Sequence, residues 1–304
     1  MRVLFPSDSI DRSQPDEAFA REVELARASG ASVGIVNTDL LGSADEAERA
    51  VRRIPPTAAS ESAIYRGWML SAAAYERLHA ALAARGTTLV TSPGAYRFCH
   101  HLPASHSAIA EHTPRSVWTA STTRPARAEL ALLLAPFGNR PLVLKDYVKS
   151  EKHAWEEACY IPCADDLDAV ERVLDSFIAL RGDSLEGGFV FREFVELRPA
   201  GRHPKSAMPL AREYRLVYWS AAPLAGGHYW RESASGEPPP SEPFDSIAAR
   251  IPSPFFTMDV AERADGEWIV IELGDGQVAE IREDQGLDGL YERLTREPAT
   301  DDPR

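Results

Sequence analysis

Cysteine is scarce in this 304-residue chain, which contains only Cys99, Cys159 and Cys163. Three cysteines cannot build the disulfide framework that stabilises many small secreted domains, so we expect a reducing, cytoplasmic environment. Cys159 and Cys163 are not accompanied by a second CxxC or HxxxH pair at zinc-ligand spacing. The sequence therefore does not predict a structural zinc site.

Long apolar segments are also missing. The chain has no run of about 18 apolar residues, so we expect no membrane span. Its start, MRVLFPSDSIDRS, lacks the basic region and the long apolar stretch of a signal peptide. We therefore expect no membrane partner.

Positive charge is in short supply. The chain has 33 Lys and Arg against 46 Asp and Glu, which gives a formal net charge of -13. A broad nucleic-acid-binding face needs surplus basic residues, so we expect no nucleic-acid partner. A local basic groove would still suit one small anion, such as a nucleotide. The two commonest nucleotide signatures, GxxxxGK[ST] and GxGxxG, are absent.

The composition that remains is 44% hydrophobic and 26% charged, which is typical of a soluble globular protein with room for two domains. In residues 1–115 strand and helix patterns alternate, which predicts an α/β domain with an open parallel sheet. In residues 116–296 strand patterns dominate, which predicts an α+β domain with an antiparallel sheet. We expect exposed loops at residues 198–209 and 233–243 and a disordered tail at 297–304.

Lysine is confined almost to one segment. Of the four lysines in the chain, Lys145, Lys149 and Lys152 lie within LVLKDYVKSEKHAW, and the fourth is Lys205. The cluster is either an accident in a solvated helix start or a set of compact, mobile ammonium groups placed for a phosphate or a titrating nitrogen. The lysines alone do not decide between these interpretations.

A β-hairpin is predicted in FFTMDVAERADGEWIVIELGDGQ, where Asp265 and Gly266 suit a two-residue type I′ turn. That turn pairs Ala264 with Glu267 and continues to two further pairs, Val260 with Ile271 and Asp259 with Glu272. One face of the hairpin is then apolar, with Met258, Val260, Ile269, Ile271 and Leu273.

The other face of this hairpin sets Asp259 directly opposite Glu272, and like charges in that position are destabilising. A divalent cation would compensate, since Mg²⁺ is characteristically held by one or two carboxylates and substrate phosphates. The alternatives are a shifted register, a solvated sheet edge, or neutralisation by a nearby arginine.

Taken in order along the chain, these segments resemble a known family. LVLKDYVKSEKHAW, FREFVEL, PLAREYRLVYW and MDVAE...WIVIELGDG are similar to the ATP-grasp fold, and more closely to its divergent R2K clade. The N-terminal segments LFPSD...PDEAFAREVELARASG and YRGWML also look like that clade. It includes bacterial proteins of unknown substrate and the eukaryotic cell-division-cycle protein that assists initiation-factor assembly. No single motif is specific for this family, whereas the ordered set of motifs is.

The resemblance implies a nucleotide site. Lys145 would reach the ATP phosphates, with Lys149 and Lys152 adding charge, because lysine acts as a point charge toward a triphosphate. Arg215 would reach the phosphates or an acyl-phosphate, unless it forms a structural salt bridge. The segment REFVEL would be the hinge, with the adenine read by Glu193, Phe194 and Val195 and the ribose by Glu196; the alternative is an ordinary amphipathic strand.

The resemblance also implies that Asp259 and Glu272 hold Mg²⁺. Many family members carry an asparagine two residues after the second carboxylate, where this chain has Gly274. Asp275 is our candidate for the third ligand, with Gln277 behind it.

Two N-terminal features stay open. Arg66, beside Trp68, is a candidate for binding a substrate carboxylate, and the alternative is a packed tryptophan beside a surface arginine. His100 and His101 are either catalytic or simply near the interdomain cleft.

The activity implied is an ATP-dependent carboxylate–amine ligase that forms an amide or peptide bond through an acyl-phosphate and releases ADP and phosphate. Its partners would be a nucleotide, a small-molecule, peptide or protein carboxylate, and an amine. Two alternatives remain: an ATP-binding assembly factor with little turnover, and a kinase-like phosphotransferase.

Overall fold

The structure, a computed structural model, describes residues 1–202, 204, 209–231 and 236–296. Lys205 and the predicted disordered tail lie outside these residues. The strands of the described part are β1 (Arg2–Pro6), β2 (Ser32–Val36), β3 (Glu61–Tyr65), β4 (Thr87–Leu89), β5 (Ser116–Trp118), β6 (Leu142–Asp146), β7 (Tyr160–Ile161), β8 (Phe189–Glu193), β9 (Pro199–Arg202), β10 (Pro209–Ala211), β11 (Glu213–Trp219), β12 (Ala222–His228), β13 (Phe255–Glu262) and β14 (Trp268–Asp275).

The α-helices of the same residues are α1 (Ala20–Ala28), α2 (Ala47–Ala50), α3 (Ala72–Ala83), α4 (Pro93–His100), α5 (Leu102–Ile109), α6 (Arg127–Leu134), α7 (Trp155–Ala158), α8 (Leu167–Arg181), α9 (Phe244–Ala248) and α10 (Leu287–Arg296). No helix in the described part of the chain is long and apolar enough to cross a membrane.

The first sheet is parallel and has the strand order β2, β1, β3, β4. Parallel neighbours need crossover connections, which is why helices separate these strands in the sequence. Helix α3 packs on one face, where Leu4, Tyr65 and Tyr75 belong to one buried cluster. The predicted open parallel sheet in the N-terminal part is confirmed.

The second sheet is antiparallel and has the order β5, β8, β6, β7. Helices α6 and α8 supply the apolar side chains that cover it, and Leu144, Phe177 and Phe191 share this core. Helix α8 begins where the Asp166 carboxylate accepts a hydrogen bond from the Ala169 N–H at 3.0 Å, a typical N-cap.

The third sheet is also antiparallel and has the order β12, β11, β13, β14. Every residue of β13 is buried, because both faces of this strand are covered. One face packs on α4, α5 and α9, and the other joins a core with β1 and α10, through Phe5, Phe255 and Tyr291. The predicted antiparallel C-terminal region is confirmed, and its third sheet is packed directly against the N-terminal sheet.

The hairpin between β13 and β14 differs from prediction near its turn. Arg263 faces Glu267, with the Arg263 N–H donating to the Glu267 carbonyl at 2.7 Å, so the loop has three residues and not two. Gly266 has φ +92°, as expected for the last residue of such a loop. The predicted pair of Ala264 with Glu267 is therefore wrong.

A β-bulge then corrects the register. Val260 pairs with Val270, so the predicted pair of Val260 with Ile271 is wrong, and Ile271 is the extra residue of the bulge. Beyond the bulge Asp259 does pair with Glu272, as predicted. The apolar face consequently contains Val270 and not Ile271, together with Met258, Val260 and Leu273.

Of the two predicted loops, the first is partly wrong. Residues 199–202 and 209–211 pair as the antiparallel strands β9 and β10, of which β9 is largely exposed whereas β10 buries Leu210. Proline is tolerated here because both strands lie at the edge of a two-stranded ribbon. The described part of the second loop, residues 236–243, contains no helix or strand and is mostly exposed, as predicted.

Candidate functional site

A cleft between the second and third sheets brings together half of the predicted site residues. It contains a cavity of about 280 Å³ whose walls include predicted site residues from both sheets and from the loop after β6: Lys145, Lys149, Arg215, Asp259, Glu272 and Asp275. Each side chain is placed by a regular strand or by the residues just beyond one. Three of the motifs that carried the family resemblance, those that contain Lys145, Arg215 and the β13–β14 hairpin, therefore meet in space.

Four charges form a continuous chain across this cleft. Arg215, Asp259 and Glu272 are direct neighbours on β11, β13 and β14. Arg215 donates to both oxygens of Asp259, each at 2.7 Å, and Lys145 Nζ of the second sheet lies 3.4 Å from Glu272 Oε2. The two opposed carboxylates thus each have a cation of their own, and the predicted alternative of a nearby arginine applies to Asp259.

Burial and charge act in opposite directions on these groups. Burial alone would raise the pKa of Glu272, but Lys145, Lys152 and Arg215 outweigh it and lower this pKa to about 2. Burial also lowers the pKa of Lys145, against the influence of Glu272. Lys152 is exposed, and its partial desolvation is outweighed by Glu272 and Glu213, which raise its pKa. Glu272 is therefore ionised at neutral pH, with cations on the opposite wall.

Arg215 is held by more than its partner carboxylate. Its guanidinium donates to the Glu280 carbonyl at 2.8 Å and lies 5.0 Å from the centre of the Tyr229 ring. These contacts fix the planar group, so its orientation does not depend on a ligand. A structural salt bridge and a phosphate-facing position are both compatible with this geometry.

Arg192 on β8 was missed by sequence reasoning. This buried side chain donates to the carbonyls of Val270 and Ile271 and to Thr113 Oγ1. The bulge leaves the Ile271 carbonyl outside the regular ladder, and Arg192 satisfies it. The signal in the sequence was an arginine in the middle of the apolar strand FVFREF, where a buried charge needs partners.

The predicted hinge begins at the last residue of β8 and does not line the cavity. Glu193 pairs with Leu142 on β6, and its carboxylate lies 3.2 Å from the Arg140 guanidinium. The Phe194 ring packs against Trp155 and Tyr160, with ring centres 6.1 and 5.3 Å away. This small aromatic group forms beside the segment assigned to the adenine.

The last part of the hinge runs toward the third sheet. Val195 is half-buried and Glu196 is exposed. The Ala264 N–H donates to the Glu196 carbonyl at 3.0 Å, beside the β13–β14 turn. Only the backbone of Glu196 is therefore fixed, and its carboxylate projects from the chain.

Arg66 lies in the interior. It is 1% exposed, and its guanidinium donates to both oxygens of Glu22 and to the carbonyls of Gly276 and Ala279. Trp68, by contrast, is 53% exposed. The alternative of a packed tryptophan beside a surface arginine is therefore wrong, and a substrate carboxylate would have to displace several contacts to reach Arg66.

His100 lines the cavity. Its ring stacks on Tyr96 at 5.0 Å, and its buried Nε2 has no partner among the described residues. Burial lowers the pKa of His100 to about 4, so this imidazole is neutral at physiological pH. The neighbouring His101 is turned away toward Glu186, with 2.9 Å between Nε2 and Oε1.

Comparison with known proteins identifies the architecture. Residues 136–294 match the family described as ATP-grasp domain, R2K clade family 3, and this match covers more than half of the chain. The chain belongs to this ATP-grasp family. No curated protein sequence matches it significantly.

Several ATP-grasp structures share the fold along nearly the whole chain. The RimK domain ATP-grasp protein from Sphaerobacter thermophilus DSM 20745 has a TM-score of 0.61 at 16% identity, over 98% of this chain and 100% of that one. D-cycloserine synthetase DcsG has a TM-score of 0.61 at 15% identity, over 97% and 99%. The ATP-grasp ligase PsnB, complexed with a phosphomimetic variant of its minimal precursor, Mg and ADP, has a TM-score of 0.57 at 15% identity, over 97% and 96%. Identities this low show the ATP-grasp fold alone.

The donor chemistry of the ATP-grasp cleft suits Mg²⁺. Asp259 and Glu272 offer carboxylate oxygens, which hard cations prefer. The described residues contain no group of three or more His, Cys, Asp or Glu side chains placed to hold a metal ion. A metal here would therefore need neutral oxygens, water or phosphate besides the two carboxylates.

Asp275, the predicted third ligand, is fully buried at the end of β14. Its Oδ1 accepts hydrogen bonds from the Gln277 N–H at 3.0 Å and from Gln277 Nε2 at 3.1 Å, while its Oδ2 has no partner among the described residues. Burial raises the pKa of Asp275 to about 7. The same Gln277 side chain donates to Tyr75 on helix α3 and accepts from the Tyr65 N–H at the end of β3, which connects the end of β14 to the N-terminal part of the chain.

Proposed function

We propose that the protein is an ATP-dependent carboxylate–amine ligase. The observation that carries this proposal is the pair of opposed carboxylates Asp259 and Glu272, each with its own cation, Arg215 and Lys145, across one cleft of an ATP-grasp fold. Such an arrangement supplies cations for a triphosphate and carboxylates for its metal ion. Phosphoryl transfer needs mainly this positioning and charge neutralisation from the protein.

In this proposal the chain's own residues bind and orient the nucleotide. Lys145 Nζ, now 3.4 Å from Glu272, is within reach of phosphate oxygens entering the cleft. Lys149 adds positive charge from the cavity wall, and Lys152, outside the wall, adds a charge that acts on Glu272. Asp259 and Glu272 would hold Mg²⁺, which when bound neutralises charge on the phosphates. Arg215, fixed by Asp259, orients the transferred phosphoryl group.

We assign the nucleoside end to the hinge. The backbone of Glu193, Phe194 and Val195 would read the adenine edge, beside the rings of Trp155 and Tyr160. The exposed carboxylate of Glu196 would take the ribose hydroxyls.

The reaction we propose has two displacements. A carboxylate oxygen of the substrate attacks the γ-phosphorus, and the bond to the β–γ bridging oxygen breaks to release ADP. The amine nitrogen then attacks the acyl carbon, a C–N bond forms, and phosphate leaves with the electron pair of the C–O bond. The amine loses one proton in this second step.

The ligase proposal is tested by product analysis. ATP is incubated with the protein and pools of amino acids, peptides or a cell extract, and the nucleotides are separated. We expect ADP and phosphate, together with a hydroxamate when hydroxylamine is added, because hydroxylamine intercepts an acyl-phosphate. AMP and pyrophosphate would contradict the mechanism, and a stable phosphate ester that hydroxylamine leaves intact would indicate a phosphotransferase.

A second candidate is an ATP-binding assembly factor with little turnover. Gly274, in place of the asparagine found in many family members, favours it, because a weakened metal site would slow phosphoryl transfer. Nucleotide binding without ADP formation from any of the pools would support this candidate over the ligase.

A further inference from the structure

Gly274 has an unusual neighbour. It pairs with Thr257 across β13 and β14, two residues along the strands from the pair of Asp259 and Glu272. A Cβ at position 274 would lie only 2.6 Å from Thr257 Oγ1. The threonine hydroxyl therefore occupies the space that a side chain at position 274 would enter.

We propose that Thr257 Oγ1 is a ligand of the magnesium ion, in place of the side chain that Gly274 lacks. This inference rests on the proposed nucleotide site. It names a residue that the family resemblance did not point to, since the resemblance placed the third ligand on β14.

The strand geometry supports the assignment. Side chains two residues apart point to the same face of a strand, so Thr257 stands beside Asp259, and position 274 stands beside Glu272. Opposed side chains in such pairs have Cβ atoms about 5 Å apart. Thr257 is 1% exposed and belongs to the wall of the cavity, on the same face of β13 as Asp259.

The donor chemistry agrees as well. A threonine or serine hydroxyl binds Mg²⁺ in the phosphate loops of unrelated nucleotide-binding proteins. Because the hydroxyl is neutral, it adds an oxygen without adding a third negative charge beside Asp259 and Glu272. Within the described residues no third acidic side chain joins this pair as a metal-binding group, which leaves room for a neutral ligand.

Asp275 is the competing candidate, and the register separates it from Thr257. Asp275 pairs with Phe256, whose ring stacks on Tyr218 at 5.0 Å in the core of the opposite face. One oxygen of Asp275 is already engaged by Gln277. Its other oxygen has no partner in the described structure, so Asp275 belongs in the test.

The test measures Mn²⁺, a substitute for Mg²⁺ in oxygen sites, by electron paramagnetic resonance in the presence of ADP. Thr257→Val keeps the shape of the side chain and removes the oxygen, whereas Thr257→Ser keeps the oxygen. We expect the Mn²⁺ dissociation constant to rise about tenfold in Thr257→Val and to change less than about twofold in Thr257→Ser. The affinity for ADP without metal should be equal in all three proteins.

Variants that move the metal-binding oxygen from β13 to β14 make the test specific. Gly274→Asn alone should bind Mn²⁺ poorly, because its Cβ collides with Thr257 Oγ1. The double variant Thr257→Ala with Gly274→Asn removes that collision and supplies a new oxygen from β14. We expect it to bind Mn²⁺ more tightly than Thr257→Ala.

Three results would overturn the proposal. Wild-type affinity in Thr257→Val would remove Thr257 from the site, and a loss confined to Asp275→Asn would assign the ligand to Asp275. A wild-type protein that binds no ADP with or without Mn²⁺ would overturn the nucleotide site itself and this inference with it.

Discussion

At the scale of the residue, the cleft neutralises its own charges. Asp259 has Arg215 as its partner and Glu272 has Lys145, so neither carboxylate depends on a metal ion for a counter-charge. The entry of a nucleotide with its metal would exchange partners: phosphate oxygens for the cations, and the metal for the carboxylates. The ion pairs thus keep the cleft in a geometry close to the one that we propose for binding.

His100 makes stability depend on pH. Its pKa falls from 6.5 to about 4 through burial, with Glu186 and Glu272 opposing this shift and His101 and Lys149 assisting it. The folded state holds the imidazole neutral, so its contribution is complete above pH 6.5 and is lost as the pH falls toward 4. Between pH 7.5 and pH 5 we expect wild type to lose about 1 to 2 kcal/mol more unfolding free energy than His100→Gln, measured by urea denaturation.

The matched control for this titration is His153→Gln, because His153 is exposed. We expect its pH dependence to equal that of wild type. An equal loss of stability in wild type and His100→Gln would show that the buried imidazole does not control this pH range.

At the scale of the element, the bulge on β14 is the feature that positions the site. It shifts the register by one residue, so that Asp259 faces Glu272 despite the three-residue turn. Arg192 donates hydrogen bonds to the Val270 and Ile271 carbonyls at the bulge, and these bonds also attach β8 to β14. This buried side chain therefore links the two sheets that form the cleft, as the pair of Lys145 and Glu272 also does.

Replacing Arg192 should consequently be costly. Arg192→Met leaves the carbonyls of Val270 and Ile271 without their donor, and we expect a loss of about 2 to 4 kcal/mol in unfolding free energy. The control is Arg140→Met, since Arg140 is an exposed arginine paired with Glu193 and should cost less than about 1 kcal/mol. Equal effects in urea denaturation would contradict the docking role of Arg192.

The hairpin turn offers a test of backbone strain. Gly266 has φ +92° and open space where a Cβ would lie, so Gly266→Ala should cost about 1 kcal/mol through conformation alone. Gly289 lies exposed in helix α10, also with open space, and Gly289→Ala should gain about 0.5 to 1 kcal/mol. Thermal unfolding of both variants measures the contrast, and a shift of the same sign in both would count against the turn assignment.

The elements themselves were largely predictable, and their exceptions have physical causes. Apolar runs such as RVLFP and EWIVIEL predicted β1 and β14, because burial on one or both faces requires apolar side chains. The bulge was not predictable, since inserting Ile271 changes no apolar pattern until the partner strand is known. The strands β9 and β10 were not predicted, because the proline and glycine residues in this segment are typical of a loop.

At the scale of the whole molecule, the second and third sheets form one cleft, and the N-terminal sheet packs against the third. The third sheet is fixed to the N-terminal sheet by a common core that includes Phe5, Phe255 and Tyr291, and the second sheet meets it through Arg192 and Lys145. The order of the motifs predicted this clustering only through the family resemblance. The burial of Arg66 was not predictable, because its partner Glu22 lies 44 positions away in sequence.

The measurement that tests the account most directly is thermal unfolding with ATP, with and without Mg²⁺. At about 100 times its dissociation constant the ligand should stabilise wild type by roughly 2.7 kcal/mol, a clear rise in melting temperature that requires Mg²⁺. Lys145→Met should lose this rise. Arg124→Met, which removes the same charge from an exposed pair with Asp175, should keep it. No rise in wild type, or an equal rise in Lys145→Met, would contradict the nucleotide site.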